Sequence, residues 1–208
     1  MQMKLLIIVA AAAMPCAAHA TEFAKKGSNA LVGDVKFGYA SNAHGGGDAE
    51  TTTDLEFAVT PTFFRFVVDG LAIGAGIGAA VTNEQTGDTN TSASAGVVGG
   101  GVAYFHRLGN EVPVFGVVNL AGEYAFIGSV ERSSSNEKKP AYWGDVSMYG
   151  VSLGFGVTYA GVGEWGPLVS MGIEVYHRQT EIDLAQTFKL PNVTTTGAAL
   201  STGIGVFF

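Results

Sequence analysis

Ionisable residues interrupt stretches that are largely apolar or glycine-rich, among them Asp34, Lys36, Glu56, Glu123, Glu174 and Arg178. Paired carboxylates can act as general acid and base when their surroundings push their pKa values apart. Carboxylates interleaved with Lys and Arg can instead neutralise one another in a closed polar network. Which chemistry applies depends on whether a substrate can reach them, and so on the elements that carry them. Other candidates fail on spacing. Gly74-Ala75-Gly76-Ile77-Gly78-Ala79 matches the dinucleotide pattern G-x-G-x-x-A, but that motif closes a strand and opens a helix, whereas these residues alternate in character through Val81. The Gly45-Gly46-Gly47-Asp48 and Asp88-Thr89-Asn90 segments lack the ligand spacing of a calcium loop. No metal and no cofactor are expected.

The first 20 residues read as an export signal: Lys4 is the charged start, Leu5 to Ala13 the apolar run, and Ala18-His19-Ala20 a small-x-small cleavage site. The apolar run is too short to span a bilayer. Cys16, the only cysteine, lies inside it, and the residues before it do not suit lipoprotein processing. Cleavage after Ala20 would leave a cysteine-free chain, which removes disulfides, thiolate metal sites and thiol nucleophiles. Of 208 residues 14 % are charged, 47 % are apolar and 30 are glycine. The formal charge is -7 including Lys4, which argues against a nucleic-acid partner.

Beyond the signal no apolar run reaches membrane-helix length. Alternation with period two recurs instead, in eight stretches: Leu31 to Ala40, Thr53 to Phe66, Leu71 to Thr82, Ala93 to Phe105, Pro113 to Phe126, Met148 to Tyr159, Pro167 to Thr180 and Ala199 to Phe208. Leu71, Ile73, Ala75, Ile77, Ala79 and Val81 form one face against Ala72, Gly74, Gly76, Gly78, Ala80 and Thr82 on the other. One face is greasy and the other small. Pro61 suggests a bulge in the second stretch. The connections alternate between tight turns (Val67 to Gly70, His106 to Val112, Gly161 to Gly166) and longer polar segments (Ser41 to Thr52, Asn83 to Ser92, Ile127 to Asp145, Glu181 to Thr194). This is the asymmetry of outer-membrane barrels. Aromatics bunch at both rims: Tyr39, Tyr124, Phe126, Tyr142 and Trp143 near the long segments, and Phe63, Phe105, Tyr159, Trp165 and Phe208 near the turns. The expected fold is all-β, an eight-stranded antiparallel up-and-down transmembrane β-barrel over 31–208, after the signal (1–20) and a short periplasmic tail (21–30). A soluble lipocalin-like barrel would need the inside apolar and the outside polar, the reverse of this pattern.

The ending Leu200-Ser201-Thr202-Gly203-Ile204-Gly205-Val206-Phe207-Phe208 looks like the signal of a substrate of the barrel-assembly machinery, carried by Leu200, Ile204, Val206 and Phe208. The stretch from Phe63-Phe64-Arg65-Phe66 through Asp69-Gly70 to Leu71-Ala72-Ile73-Gly74 resembles a hairpin of the small outer membrane protein β-barrel family, which includes opacity-type proteins and the barrels of outer membrane proteins A and X. The resemblance implies fold and location, not activity. Such barrels include lipid-A-modifying enzymes, which makes His44, His106 and His177 candidate bases. No His-x-Ser motif follows any of them and no Asp-Ser pair occurs. His177 with Glu174 or Glu181 is the remaining combination, and it reads as a rim histidine.

With the apolar faces toward lipid, Asp34, Lys36, Glu56, Asn119, Glu123, Glu174, Tyr176 and Arg178 point into the lumen. Eight strands leave room only for side chains, so these residues are expected to form a polar plug, with no catalytic cleft. The long segments carry nine acids against Arg132, Lys138, Lys139 and Lys189; Arg132, Lys138 and Lys139 suit lipopolysaccharide phosphates. Trp143 and Trp165 mark the two interfaces. The expectation is a monomeric, non-enzymatic outer-membrane protein that supports the envelope and contacts a host or neighbouring cell through its loops. A narrow transporter of small apolar molecules is the alternative, and a lipid-A-modifying enzyme stands behind it.

Overall fold

The computed structural model describes residues 22–43, 51–86, 89–109, 112–134, 137–139, 145–184, 188–189 and 193–208, with side chains described for 22–40, 55–83, 92–109, 112–126, 147–180 and 194–208. The expected signal, its cleavage site, His44 and Trp143 lie outside the described residues. Eight long strands carry the fold: β1 (Asn29–Ala43), β2 (Thr51–Val68), β3 (Leu71–Thr86), β4 (Thr89–Arg107), β5 (Val114–Ser134), β7 (Asp145–Ala160), β8 (Gly166–Leu184) and β10 (Val193–Phe207). Two short strands are added outside this cycle, β6 (Glu137–Lys139) on β5 and β9 (Phe188–Lys189) on β8. Each long strand pairs antiparallel with the one before it. The sheet closes where β1 pairs with β10, from Ala30↔Phe207 to Asn42↔Thr195. Closure leaves the eight long strands without an unpaired edge along the cycle, so their ladders can satisfy their own N–H and C=O groups away from water.

The period-two pattern decides which way each strand faces. On β3, Ile73, Ile77 and Val81 point outward while Ala72 and Ala80 are buried. On β10, Leu200, Ile204 and Val206 are outward and Phe207 is fully buried, and Phe208 just past the strand is outward as well. Ile77 is 68 % and Ile204 73 % exposed, and many more apolar side chains continue this belt around the barrel. Such a continuous apolar exterior is stable against hydrocarbon and not against water.

All eight expected strands are present, and most run past their expected loop-side ends. Asn83 to Ser92, read as a long loop, is largely ladder: Glu84 pairs with Thr91, Gln85 with Asn90 and Thr86 with Thr89. Ile127 to Asp145 likewise contains the end of β5 and all of β6. These ends are polar on both faces, so alternation has no contrast to reveal them. β5 has 21 residues, about twice what a bilayer crossing requires. The bulge expected at Pro61 is absent, because Val59↔Ala79 and Thr62↔Gly76 keep one register across it. The irregularities fall instead between Phe66 and Val68 and between Ser94 and Ala95.

The turn end of the barrel is filled by an apolar core. Phe23, Phe66, Phe105, Phe115, Leu168 and Phe207 pack there, with inward alanines at 30, 72, 103 and 160 making room for them. Phe105 therefore belongs to the interior and not to the rim girdle, since it sits on the same strand face as buried Ala103. The segment before β1 does not trail away from the barrel. It folds back across the mouth and seats Phe23 edge-on against Phe66, Phe105, Phe115 and Phe207, with ring centroids 5.2, 5.3, 5.0 and 5.6 Å away. Backbone bonds hold it: Glu22 N–H donates to Gly163 O, Gly70 N–H to Ala24 O, and Gly27 N–H to Phe66 O. Lys26 N–H also donates to Asp69 Oδ1 at 2.8 Å.

Candidate functional site in the lumen

Strand register explains how long polar side chains fit inside a barrel this narrow. Each inward polar residue faces only small or short side chains on its two neighbouring strands. Glu56 lies opposite Gly38 and Thr82, Glu123 opposite Gly99 and Gly150, and Arg178 opposite Gly150 and Thr195. Glu174 lies opposite Gly154 and Ala199, Tyr176 opposite Ser152 and Gly197, and Asn119 opposite Ala103 and Gly154. Asp34 faces Thr60 and Gly203, and Lys36 faces Ala58 and Ser201. At Gly150 the requirement is steric, since an added Cβ would stand 2.6 Å from Arg178 Cγ and 2.9 Å from His177 O.

All eight residues expected in the lumen face inward, and they assemble in two tiers. In the tier nearer the loop end, Arg178 Nε donates to Glu123 Oε1 and Nη1 donates to Glu56 Oε2. Its Nη2 donates to Glu56 Oε1 at 3.1 Å, so the guanidinium grips one carboxylate with two nitrogens and the second carboxylate with a third. The guanidinium carbon lies 4.0 Å from the centroid of the Tyr176 ring. Arg178, Glu56 and Glu174 are buried. In the lower tier Lys36 Nζ lies 2.8 Å from Glu174 Oε2. Two buried acceptors, Glu174 Oε1 and Asn119 Oδ1, have no hydrogen-bond partner among the described residues. Planar Arg suits the bidentate tier and a point-charge Lys the single contact.

Below the lower tier a cavity of about 90 Å³ lies between the ion pairs and Phe23. Asp34, Asn119 and Glu174 line its upper part, and Phe23, Phe64 and Phe105 its floor. Sequence reading missed this chamber because it missed Phe23. The available signal was a single large apolar residue in the polar run Thr21-Glu22-Phe23-Ala24-Lys25-Lys26, with no periodicity to place it.

His177 and Glu174 do not come together. His177 points outward, its Nδ1 3.0 Å from Thr196 Oγ1, whereas Glu174 points inward; an odd separation on one strand puts two side chains on opposite faces. His106 is also outward and stacks beside Tyr104. Gly74 to Ala79 lies in mid-strand, where glycines make room for inward side chains such as Phe64 and Thr62. Among the described residues no cluster of His, Cys, Asp and Glu could hold a metal ion. Trp165 is 74 % exposed at the turn end. On the opposite end the β5–β6 ribbon pairs Arg132 with Lys139 and Ser133 with Lys138 in backbone register.

No protein-family profile matches the chain, and no curated protein matches it in sequence. Solved structures do. The outer membrane protein OprG from Pseudomonas aeruginosa superposes with a TM-score of 0.53 at 11 % identity, over 91 % of this chain and 99 % of that one. The outer membrane protein AlkL in lipid bilayers gives 0.48 at 10 % identity over 94 % of each chain. The attachment invasion locus protein Ail of Yersinia pestis gives 0.41 at 11 % identity, over 88 % of this chain and 99 % of that one. The likeness to OprG is one of fold: a closed, eight-stranded antiparallel β-barrel.

Proposed function

We propose that the chain is an outer-membrane barrel that works as a closed, non-enzymatic surface protein, supporting the envelope and making contacts through its loop end. The observation that carries this reading is the Arg178 clamp. A guanidinium tied to Glu56 and Glu123 from two other strands blocks the loop-side part of the lumen with the barrel's own charges. What such a barrel offers to other molecules lies at its ends and on its lipid-facing wall. The clamp also counts against the narrow-transporter reading, since an apolar passenger would have to displace a buried ion pair.

The loop end supports the contact role. β5 and β8 continue well beyond bilayer length, so the polar segments project as ladder. The β5–β6 ribbon brings Arg132, Lys138 and Lys139 within a few residues of one another in register, which suits lipopolysaccharide phosphates as partners. The outward residues Leu200, Ile204, Val206 and Phe208 suit recognition by a barrel-assembly machinery, and the protein acts as a monomer.

The test uses the protein purified from membranes, in wild-type form and with residues 132–139 replaced by a short glycine turn. Both forms should migrate as heat-modifiable barrels on a denaturing gel, and both should conduct far below a general porin in planar bilayers. The ribbon-less form should retain less lipopolysaccharide. A stable large-conductance pore would overturn the closed-barrel reading, and unchanged lipopolysaccharide retention would overturn the contact role of the ribbon.

A further inference from the structure

We propose that the chamber beneath the ion pairs is a binding site for a small organic cation of the primary ammonium class, admitted from the turn end past Phe23. The first argument is charge. Asp34 and Glu174 both line the chamber, and Lys36, the ammonium beside them among the described residues, is engaged with Glu174 Oε2. Arg178 is already shared between Glu56 and Glu123. The chamber therefore carries a surplus negative charge in a setting where buried charge is costly without a partner.

The second argument is independent of charge count. Among the described residues Glu174, only 5 % exposed, keeps one oxygen without a hydrogen-bond partner, and so does Asn119 Oδ1 beside the same chamber. Both are acceptors, so the missing complement is a donor. An ammonium supplies up to three N–H donors and the positive charge together. Shape sets the rest of the ligand. Glycines at 154, 156 and 172 thin the β7–β8 wall, and the floor of Phe23, Phe64 and Phe105 offers an apolar surface for a short hydrocarbon tail.

Access follows from the two rings that line both this chamber and a second cavity of about 270 Å³ at the turn end, edged by Lys25, Asp69 and Arg107: Phe23 and Phe105. Phe105 is fixed in β4, which leaves Phe23 as the movable part of the partition. It is carried by a short segment outside the strand ladder and held by a few backbone bonds, so it can swing without unpairing a strand. The Arg178 clamp closes the other end, which makes the chamber a dead-end pocket and not a passage. This inference does not depend on what the loops bind.

The experiment is calorimetric titration of the purified barrel with n-butylammonium chloride, with n-butanol as the neutral analogue and potassium chloride as the ionic control. Butylammonium should bind saturably at one site, at least about tenfold more tightly than butanol, because the alcohol leaves the surplus charge unpaired. Asp34→Asn should weaken binding by about tenfold with the heat-modifiable band retained, and Phe23→Ala should speed association. Absence of saturable binding even in Phe23→Ala, equal affinity for butanol, or indifference to Asp34→Asn would each overturn the proposal. If Asp34→Asn does not fold, the wild-type Asn119 side-chain amide resonances read the same site: a shift with butylammonium and none with potassium chloride supports it, and no shift overturns it.

Discussion

Arg178 and Glu56 lie 122 residues apart in the chain, yet meet inside the barrel through both terminal guanidinium nitrogens. Their strands, β8 and β2, are not neighbours in the sheet. The contact therefore braces the barrel across its interior, and Glu123 on β5 adds a third strand to the brace. Removing Arg178 would leave the buried Glu56 and the partly buried Glu123 without their shared cation. Arg178→Ala is expected to lower stability by about 3–5 kcal/mol, measured by urea unfolding of the barrel in detergent. A loss near zero would mean that water already screens these groups. Arg178→Lys should recover only part of the loss, because one ammonium cannot grip Glu56 with two nitrogens and also reach Glu123.

Gly150 clears the space that Arg178 occupies. Gly150→Ala should destabilise the barrel by about 1–3 kcal/mol through overpacking against the arginine stem and the adjacent backbone. Gly122→Ala is the matched control, since its nearest atom would be Gly150 O at 3.9 Å. Unfolding midpoints of the two variants should separate clearly, and equal midpoints would show that the arginine stem moves aside freely.

Phe23 anchors the segment that crosses the turn end. Lys25 and Lys26 are exposed on that segment, but trypsin can engage their backbone only after local opening. The Phe23→Ala variant, which empties a seat among four phenylalanine rings, should lose about 3 kcal/mol of local stability. Trypsin should then cut after Lys25 or Lys26 much faster than in wild type, read by mass spectrometry with the barrel band intact. Equal cleavage rates would mean that the backbone bonds alone hold the segment.

Trp165 stands at the turn-side rim of the apolar belt. In a Trp143→Phe background it is the sole tryptophan. Refolding into bilayers should shift its emission to the blue, and lipids brominated near the headgroup should quench it more than lipids brominated at the chain end. The opposite order of quenching would place the rim deep in the hydrocarbon and move the belt along the strands.

The strands, their facing and the inward set were legible because each depends on nearest neighbours in sequence. Alternating Ile and Gly on β3 already tells which side meets lipid, since a strand's side-chain period is two and one solvent is apolar. The same logic placed Asp34, Lys36, Glu56, Asn119, Glu123, Glu174, Tyr176 and Arg178 inside before any contact between them was visible. It failed where contrast vanishes. The ladder from Asn83 to Ser92 has polar residues on both faces, and nearness to a turn points Phe105 to the rim although its parity with Ala103 points it inward.

What the amino-acid order determined alone is thus the number of strands and the inside and outside of each, because lipid and lumen impose opposite demands on successive residues. Only the closed tertiary structure decided who meets whom within the lumen. Arg178 has Glu56, Glu123 and Glu174 as possible carboxylate partners by composition, and the choice follows from strand register around the closure between β1 and β10, a relation among residues more than a hundred positions apart. Phe23 makes the same point. Its segment has no period to read, and it acquires a place only because eight strands, once closed, leave a mouth lined with phenylalanines that one more ring can fill.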